Sequence, residues 1–188
     1  MADQYWAKPV TGFGPADAQI VIVGLAPAAH GGNRTGRIFT GDESGNWLFA
    51  SLHRVGLAKT ALSISVDDGQ ELFNARILAA VRCAPPANAP TTLERDTCSP
   101  WFSREIELLA EARVYVALGA FAWDALLSTF KEIPRPKPRF SHGAQVELSN
   151  GQILLGSYHP SQQNTYTGRL TEAMLDQVLS SAASQVNR

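Results

Sequence analysis

The apolar run Ile20-Val21-Ile22-Val23 is followed by Gly24-Leu25-Ala26-Pro27-Ala28-Ala29-His30-Gly31-Gly32-Asn33-Arg34-Thr35-Gly36-Arg37-Ile38-Phe39-Thr40-Gly41-Asp42. The apolar run predicts a buried strand, and the segment Asn46–Val55, with Ser44 as its N-cap, predicts an amphipathic helix. The residues between them therefore form a long loop. Open α/β sheets bind ligands at the carboxyl ends of their strands, so the position of this loop predicts a binding site.

The loop carries side chains suited to a flat, negatively charged ligand. Its five glycines allow the backbone to approach a ligand closely. Arg34 and Arg37 supply cationic donors for phosphate, and Phe39 offers a face for stacking. Asp42 is the only carboxylate in the loop. The alternative interpretation is a glycine-rich connection with solvated arginines, because the loop matches neither the P-loop pattern nor the dinucleotide fingerprint.

Composition predicts a single domain spanning residues 1–188. The chain is 45% hydrophobic and 18% charged, which is typical of a soluble globular protein. Its net charge of -1 means that a nucleic-acid partner would need a local rather than a global positive field. No apolar run approaches the roughly 20 residues that span a bilayer, and the N-terminus lacks a signal pattern. We therefore expect a cytoplasmic monomer without membrane contact.

Strand and helix patterns alternate along the chain, which predicts a three-layer α/β/α sandwich around a mainly parallel, four-stranded sheet. Asn150-Gly151 between two apolar arms predicts a hairpin with a type I′ turn. The predicted strands cover residues 19–24, 75–82, 114–118 and 153–155, and the predicted helices cover 44–55, 91–109, 120–130 and 171–183.

Three unusual loops follow the ends of predicted strands: Ala26–Asp42, Cys83–Asn88 and Ser157–Gly168. Because the carboxyl ends of parallel strands lie along one edge of a sheet, these loops should converge. Convergence would bring Asn88 and His159 to the first loop.

These side chains together suit hydrolysis of a bond between a base and a sugar. An Asn88 amide offers a donor and an acceptor that match a pyrimidine edge. His159 can stabilise negative charge on a departing base, and Asp42 can orient a water or stabilise a cationic sugar. Each residue also has an ordinary alternative: turn chemistry for Asn88, a structural hydrogen bond for His159, and a favourable helix-dipole contact for Asp42.

Long motifs in these loops resemble a known family. They are Gly24-Leu-Ala-Pro-Ala-Ala-His-Gly-Gly-Asn-Arg-Thr-Gly-Arg37 with Phe39-Thr-Gly-Asp42, Arg82-Cys-Ala-Pro-Pro-Ala-Asn88, and His159-Pro-Ser-Gln-Gln-Asn-Thr-Tyr-Thr-Gly-Arg-Leu-Thr171. The chain resembles the uracil-DNA glycosylase superfamily over nearly its whole length, and family 5, the type B enzymes, most closely. The resemblance implies a monofunctional glycosylase that flips uracil, and other deaminated bases such as hypoxanthine, out of DNA in base excision repair. Hydrolysis would leave an abasic site.

The resemblance also implies roles for individual residues. Ala26, Phe39, Asn88 and His159 would contact the flipped base. Asp42 becomes the candidate catalytic carboxylate beside His159, because better-known branches carry an Asp, Asn or Glu where this chain has alanines. The residues expected to contact DNA are Arg34, Arg37, Gln162, Gln163, Asn164 and Arg169.

Enzymes of family 5 usually carry a four-iron-four-sulfur cluster, which requires four cysteine thiolates. Cys83 and Cys98 take the places of the second pair, and the first pair would lie upstream. We therefore expect no cofactor and no metal in this chain, and interpret the two cysteines as buried small residues or as relics of a cluster site. A trimmed N-terminus is the alternative explanation.

Two other classes of function stay open. A binding protein of the same superfamily could hold uracil-containing DNA without turnover or become covalently trapped on it. Members of that kind carry a basic, histidine-containing insertion after the first motif, which this chain lacks between Arg37 and Asp42. An unrelated nucleotide-binding α/β protein is the third interpretation.

Overall fold

Five strands form one sheet in the computed structural model, which describes residues 5–186. They are β1 (Ile20–Gly24), β2 (Ala75–Ala79), β3 (Val114–Leu118), β4 (Gln145–Glu147) and β5 (Ile153–Ser157). The strand order is β2-β1-β3-β5-β4, and every neighbouring pair is parallel except β4 with β5. The mainly parallel sheet is confirmed, and the short antiparallel β4 adds a fifth, edge strand to the four that we predicted.

Six α-helices in the described part of the chain connect or flank these strands. They are α1 (Gly32–Thr35), α2 (Glu43–Arg54), α3 (Thr92–Leu108), α4 (Ala120–Thr129), α5 (Gln162–Tyr166) and α6 (Glu172–Val186). No helix among them is long and apolar enough to cross a membrane.

Both faces of the sheet are covered, which explains why its strands read as continuous apolar runs. Ile20 and Ile22 of β1 pack into one core with side chains of α2 and α6. Val21 and Val23 point to the other face and pack with α3 and α4. The α/β/α sandwich is confirmed.

The start of α2 differs from the prediction. Asp42, rather than Ser44, is the N-cap, because its Oδ1 accepts a hydrogen bond of 2.8 Å from the Gly45 N–H. The ordinary role that we considered for Asp42 is therefore real. The start of α3 follows the predicted capping box, in which Thr91 and Glu94 exchange hydrogen bonds.

The hairpin between β4 and β5 is confirmed, but its type I′ turn is wrong. A type I′ turn needs two residues with positive φ, and of the pair only Gly151 has one, at 80°. Leu148 is buried, and its N–H donates to the Gln152 carbonyl at 2.8 Å. This hydrogen bond closes the hairpin between Leu148 and Gln152, so the turn consists of the three residues 149–151 rather than of Asn150 and Gly151 alone.

Candidate active site

The three loops meet at the carboxyl edge of the sheet, as predicted. They enclose a crevice of about 780 Å³ that is lined by Ala26, Asp42, Asn88, His159 and neighbouring residues. The Ala29 N–H joins the first two loops by donating to Asn88 Oδ1 at 2.9 Å.

Arg34 fastens the first loop at the rim of the crevice. Its Nε donates to the His30 carbonyl at 2.8 Å, and its Nη2 donates to the Gly41 carbonyl at 3.3 Å. The side chain is exposed, so a phosphate could still approach it. Arg34 thus bridges both ends of the loop.

Arg37 does not face the crevice. It is 5% exposed, and its guanidinium donates to Ser63 Oγ at 2.7 Å and to Asp68 Oδ2 at 2.5 Å. Its cation also lies 4.6 Å from the centre of the Phe13 ring. The expectation that Arg37 contacts phosphate therefore does not fit this structure, in which it anchors the loop to the segment around Asp68.

The buried ion pair also controls the ionisation of Asp68. Burial opposes the charged form, but the hydrogen bonds from Arg37 and from backbone N–H groups outweigh it, so the pKa of Asp68 lies well below its usual range. Asp68 remains charged, and the pair persists as a fixed structural tie.

Asp42 uses its two carboxylate oxygens differently. Oδ1 caps α2, whereas Oδ2 lies against Gly31, where any side chain would occupy the same space. Burial raises the pKa of Asp42, and the backbone N–H groups of Gly45 and Ser44 offset part of that effect. A carboxylate in such a setting is a stronger base than one in water.

His159 lies at the base of the crevice beside Phe39. The centres of the two rings are 5.6 Å apart, with planes inclined by 32°. Burial lowers the pKa of His159 to about 4, so its imidazole is neutral at neutral pH. The side chain is therefore a donor or acceptor of hydrogen bonds rather than a cation.

Phe39 is held in an unusual conformation. Its φ is +52°, and it is only 5% exposed. The ring lies over Gly24, where an added Cβ would come within 2.6 Å of it. The Phe39 ring thus packs against the His159 ring and is itself mostly buried.

Asn88 sits on a strained turn formed by Pro86–Asn88. Ala87 and Asn88 both have positive φ, at 52° and 54°. Such conformations cost energy and persist where the surroundings fix them, frequently at functional sites. The bond from Ala29 to Oδ1 fixes the amide orientation, and Nδ2 has no partner among residues 5–186.

The residues in and just after the third loop that we predicted to contact DNA lie in different environments. Gln162 and Gln163 line the crevice and are exposed. Asn164 instead turns inward, because its Nδ2 donates to the His159 carbonyl at 2.9 Å. Arg169 is exposed and lies 4.5 Å above the Tyr158 ring.

The two cysteines are not both buried, so the interpretation of both as buried small residues is wrong. Cys83 is exposed, Cys98 is partly buried, and both thiols are free. They supply two of the four thiolates that a four-iron cluster needs, and residues 5–186 contain no group of three or more metal-ligating side chains. The described residues therefore do not fit such a cluster by themselves.

Two side chains at the rim of the crevice, Tyr5 and His30, were not among the site residues predicted from the sequence. Tyr5 donates to or accepts from His30 Nδ1 at 2.6 Å, and His30 lines the crevice. No local pattern joins residues so far apart in the chain. His30 could have been predicted as a site residue, because it lies in the loop between Gly24 and Asp42.

An open α/β sheet with a carboxylate, an amide and a neutral imidazole at its carboxyl edge is typical of enzymes that act on a ligand bound there. The family model of the Uracil DNA glycosylase superfamily matches residues 11–183, and the chain belongs to this superfamily.

Curated relatives agree with this assignment. The Type-5 uracil-DNA glycosylase of Mycobacterium leprae is 55% identical over 183 residues, which cover 96% of this chain and 80% of the relative. That of Thermus thermophilus is 51% identical over 180 residues, covering 96% and 81%. The Type-4 uracil-DNA glycosylase of Thermotoga maritima is 30% identical over 153 residues, covering 81% and 69%. The resemblance inferred from the motifs is confirmed.

Proposed function

We propose that this protein is a monofunctional DNA glycosylase that extrudes uracil and hydrolyses its N-glycosidic bond. The observation that carries the proposal is that Asp42, Asn88 and His159 line one crevice. The relatives named Type-5 uracil-DNA glycosylases support the choice of uracil.

Asn88 distinguishes uracil from cytosine. Because its Oδ1 accepts from the Ala29 N–H, the amide has one orientation, with Nδ2 left to donate. Nδ2 meets the O4 carbonyl of uracil, and the second lone pair of Oδ1 accepts from N3–H. Cytosine presents an amino donor to Nδ2 and a bare ring nitrogen to Oδ1, so donor would face donor and acceptor would face acceptor.

His159 and Asp42 act on opposite sides of the breaking bond, His159 on the departing base and Asp42 on the water that attacks the sugar. The bonding electron pair moves to the base, and a neutral His159 donates a hydrogen bond to its O2 carbonyl. Asp42 Oδ2 orients a water toward C1′ and accepts its proton as the new C–O bond forms. The proton finally resides on the released base, so the products are uracil and an abasic site.

The proposal extends to hypoxanthine and to a preference for mismatches. Hypoxanthine carries a carbonyl beside a ring N–H, the same pair that Asn88 reads in uracil. Extrusion costs a few kcal/mol and costs least at a mismatch, which favours uracil opposite guanine. The proposed enzyme acts on DNA in the cytoplasm as a monomer.

The test incubates purified protein with end-labelled duplexes that contain U:G, U:A or hypoxanthine, followed by alkali and a gel. Strand scission only after alkali is the expected result, and the pattern across duplexes gives the breadth of specificity. Tight binding without scission would overturn the glycosylase and support a protein that only binds uracil-containing DNA.

A further inference from the structure

A tyrosine–histidine pair stands at the rim of the crevice, outside the residues used above. The Tyr5 hydroxyl lies 2.6 Å from His30 Nδ1, and the two rings meet edge to face with centres 6.1 Å apart. His30 is exposed and lines the crevice. No step of the proposed hydrolysis requires either side chain.

The backbone around Tyr5 is fastened to the first loop. The N–H groups of Trp6 and Ala7 donate to the carbonyls of Arg34 and Asn33, each at 3.1 Å. The Trp6 ring also covers Gly36, where an added Cβ would lie 3.1 Å from it. Tyr5 is therefore held beside His30 by contacts of its neighbours.

The hydrogen bond to Tyr5 determines what His30 presents to a ligand. A phenol donates to Nδ1 of a neutral imidazole, and it accepts from Nδ1–H of a protonated one. Nε2 carries a hydrogen in both of these cases. A neutral ring could instead donate from Nδ1–H to the phenol oxygen and leave Nε2 bare, but this pairing is disfavoured, because the phenol O–H is the stronger donor and the imidazole nitrogen the stronger acceptor. Nε2 has no protein partner among residues 5–186, so in the favoured tautomer it is free to donate to a ligand that accepts.

We propose that His30 binds a phosphate of the DNA strand next to the extruded nucleotide, and that Tyr5 is the positioning residue that keeps Nε2 a donor. This inference rests on the proposed function, because it assumes that DNA enters this crevice. Asn88 and His159, at the base of the crevice, already provide the hydrogen bonds to the edge of the extruded base. The rim faces the strand, whose strongest acceptors are phosphate oxygens.

Arg34 does not replace His30 in this role. Its Nε and Nη2 are engaged by two backbone carbonyls, so it gives the rim positive charge without a fully free donor set. His30 lies on the same loop, and Arg34 holds its carbonyl in place. The rim therefore combines a general positive field with one directed donor.

The test uses substitutions that separate the two ring nitrogens. In His30→Gln the side-chain amide reaches the place of Nε2, whereas in His30→Asn it reaches only the place of Nδ1. Tyr5→Phe removes the positioning bond alone. His53→Ala, on the exposed last turn of α2, is the matched control.

Single-turnover excision of uracil is measured as a function of enzyme concentration. Loss of a phosphate hydrogen bond should raise the half-saturating concentration about tenfold in His30→Asn and leave the plateau rate unchanged. Tyr5→Phe should raise it about threefold, and His30→Gln should stay within about threefold of the wild type. His53→Ala should match the wild type.

A neutral methylphosphonate at each phosphate beside the uridine locates the contact. One such substitution should weaken binding by the wild type and have no effect on His30→Asn. A merely structural role would not make the effect of His30→Asn depend on one phosphate. Equal sensitivity of both proteins at every phosphate, or a change confined to the plateau rate, would overturn the inference.

Binding to a duplex with a stable abasic-site analogue separates this inference from the proposed function. If the wild type binds but releases no uracil, the glycosylase fails while the His30 contact is still measured by affinity. If the wild type excises uracil and His30→Asn binds equally well, only the phosphate contact fails. Absence of duplex binding by the wild type would overturn both.

Discussion

The two ends of the central sheet are both hollow, but they are built differently. The crevice at the carboxyl end measures about 780 Å³, and a groove of about 510 Å³ lies at the amino ends of β3 and β5. Of the five non-glycine residues with positive φ between residues 5 and 186, three, Phe39, Ala87 and Asn88, belong to the loops of the crevice. Strain concentrates where a ligand must be held in one geometry.

The pKa shifts of Asp42 and His159 in the crevice also differ in kind from that of Tyr115 in the groove. Burial raises the pKa of Asp42 and lowers that of His159 to about 4, which prepares one as a base and the other as a neutral donor. In the groove, burial raises the pKa of Tyr115, whose hydroxyl meets Gln152 Nε2 at 3.4 Å. The Tyr115 phenol simply stays neutral.

The largest effect is expected for Asp42→Asn. The amide keeps the cap of α2, since Asn is as good an N-cap as Asp, but it cannot accept a proton from water. Single-turnover excision of uracil should fall about a thousandfold with little change in melting temperature. Glu107→Gln, in the groove, should retain wild-type activity, and an equal loss in both variants would remove the distinction between the two ends.

Arg37→Ala should affect folding rather than chemistry. It leaves the buried Asp68 carboxylate without its partner, which should lower the free energy of unfolding by about 3 to 4 kcal/mol. Urea denaturation followed by circular dichroism measures this change. Full stability combined with weaker DNA binding would restore Arg37 as a phosphate contact.

His159→Ala should lower the single-turnover rate about a hundredfold, because the departing base loses one directed donor. His159→Gln retains a donor and should recover part of the rate. If both variants excise uracil like the wild type, the negative charge is stabilised elsewhere.

The pH dependence should report Asp42 alone. As pH falls through its pKa, which burial holds above the usual 3.8, the carboxylate gains a proton and the excision rate falls. The imidazole of His159 gains a proton around pH 4, but it is a hydrogen-bond donor in both forms, so its titration does not remove the bond to the departing base. A pH series of single-turnover rates should show an acid limb that Asp42→Asn lacks. The same limb in both proteins would mean that another group controls it.

The smallest effect is expected for Tyr115→Phe in the groove. Its weak bond to Gln152 is lost, so excision should be unchanged and the free energy of unfolding should fall by less than about 1 kcal/mol. Gel assays and urea denaturation measure both quantities. A clear loss of excision would show that the two ends of the sheet are coupled.

The convergence of the site could be predicted because it depends on topology. Strand ends and long loops are visible in the sequence, and parallel pairing then brings Asn88 to Ala29. The role of Arg37 could not be predicted, because Ser63 and Asp68 lie 26 and 31 residues away and no periodic pattern joins them. The same holds for Tyr5 and His30, whose contact depends on backbone bonds formed only in the folded chain.

The most direct measurement counts products. Wild-type protein and Asp42→Asn are incubated with a U:G duplex, free uracil is quantified by mass spectrometry, and abasic sites are counted by alkaline cleavage. The wild type should release equal amounts of uracil and abasic sites, and Asp42→Asn should do so at a rate about a thousandfold lower. Binding without released uracil, or equal rates from both proteins, would contradict it.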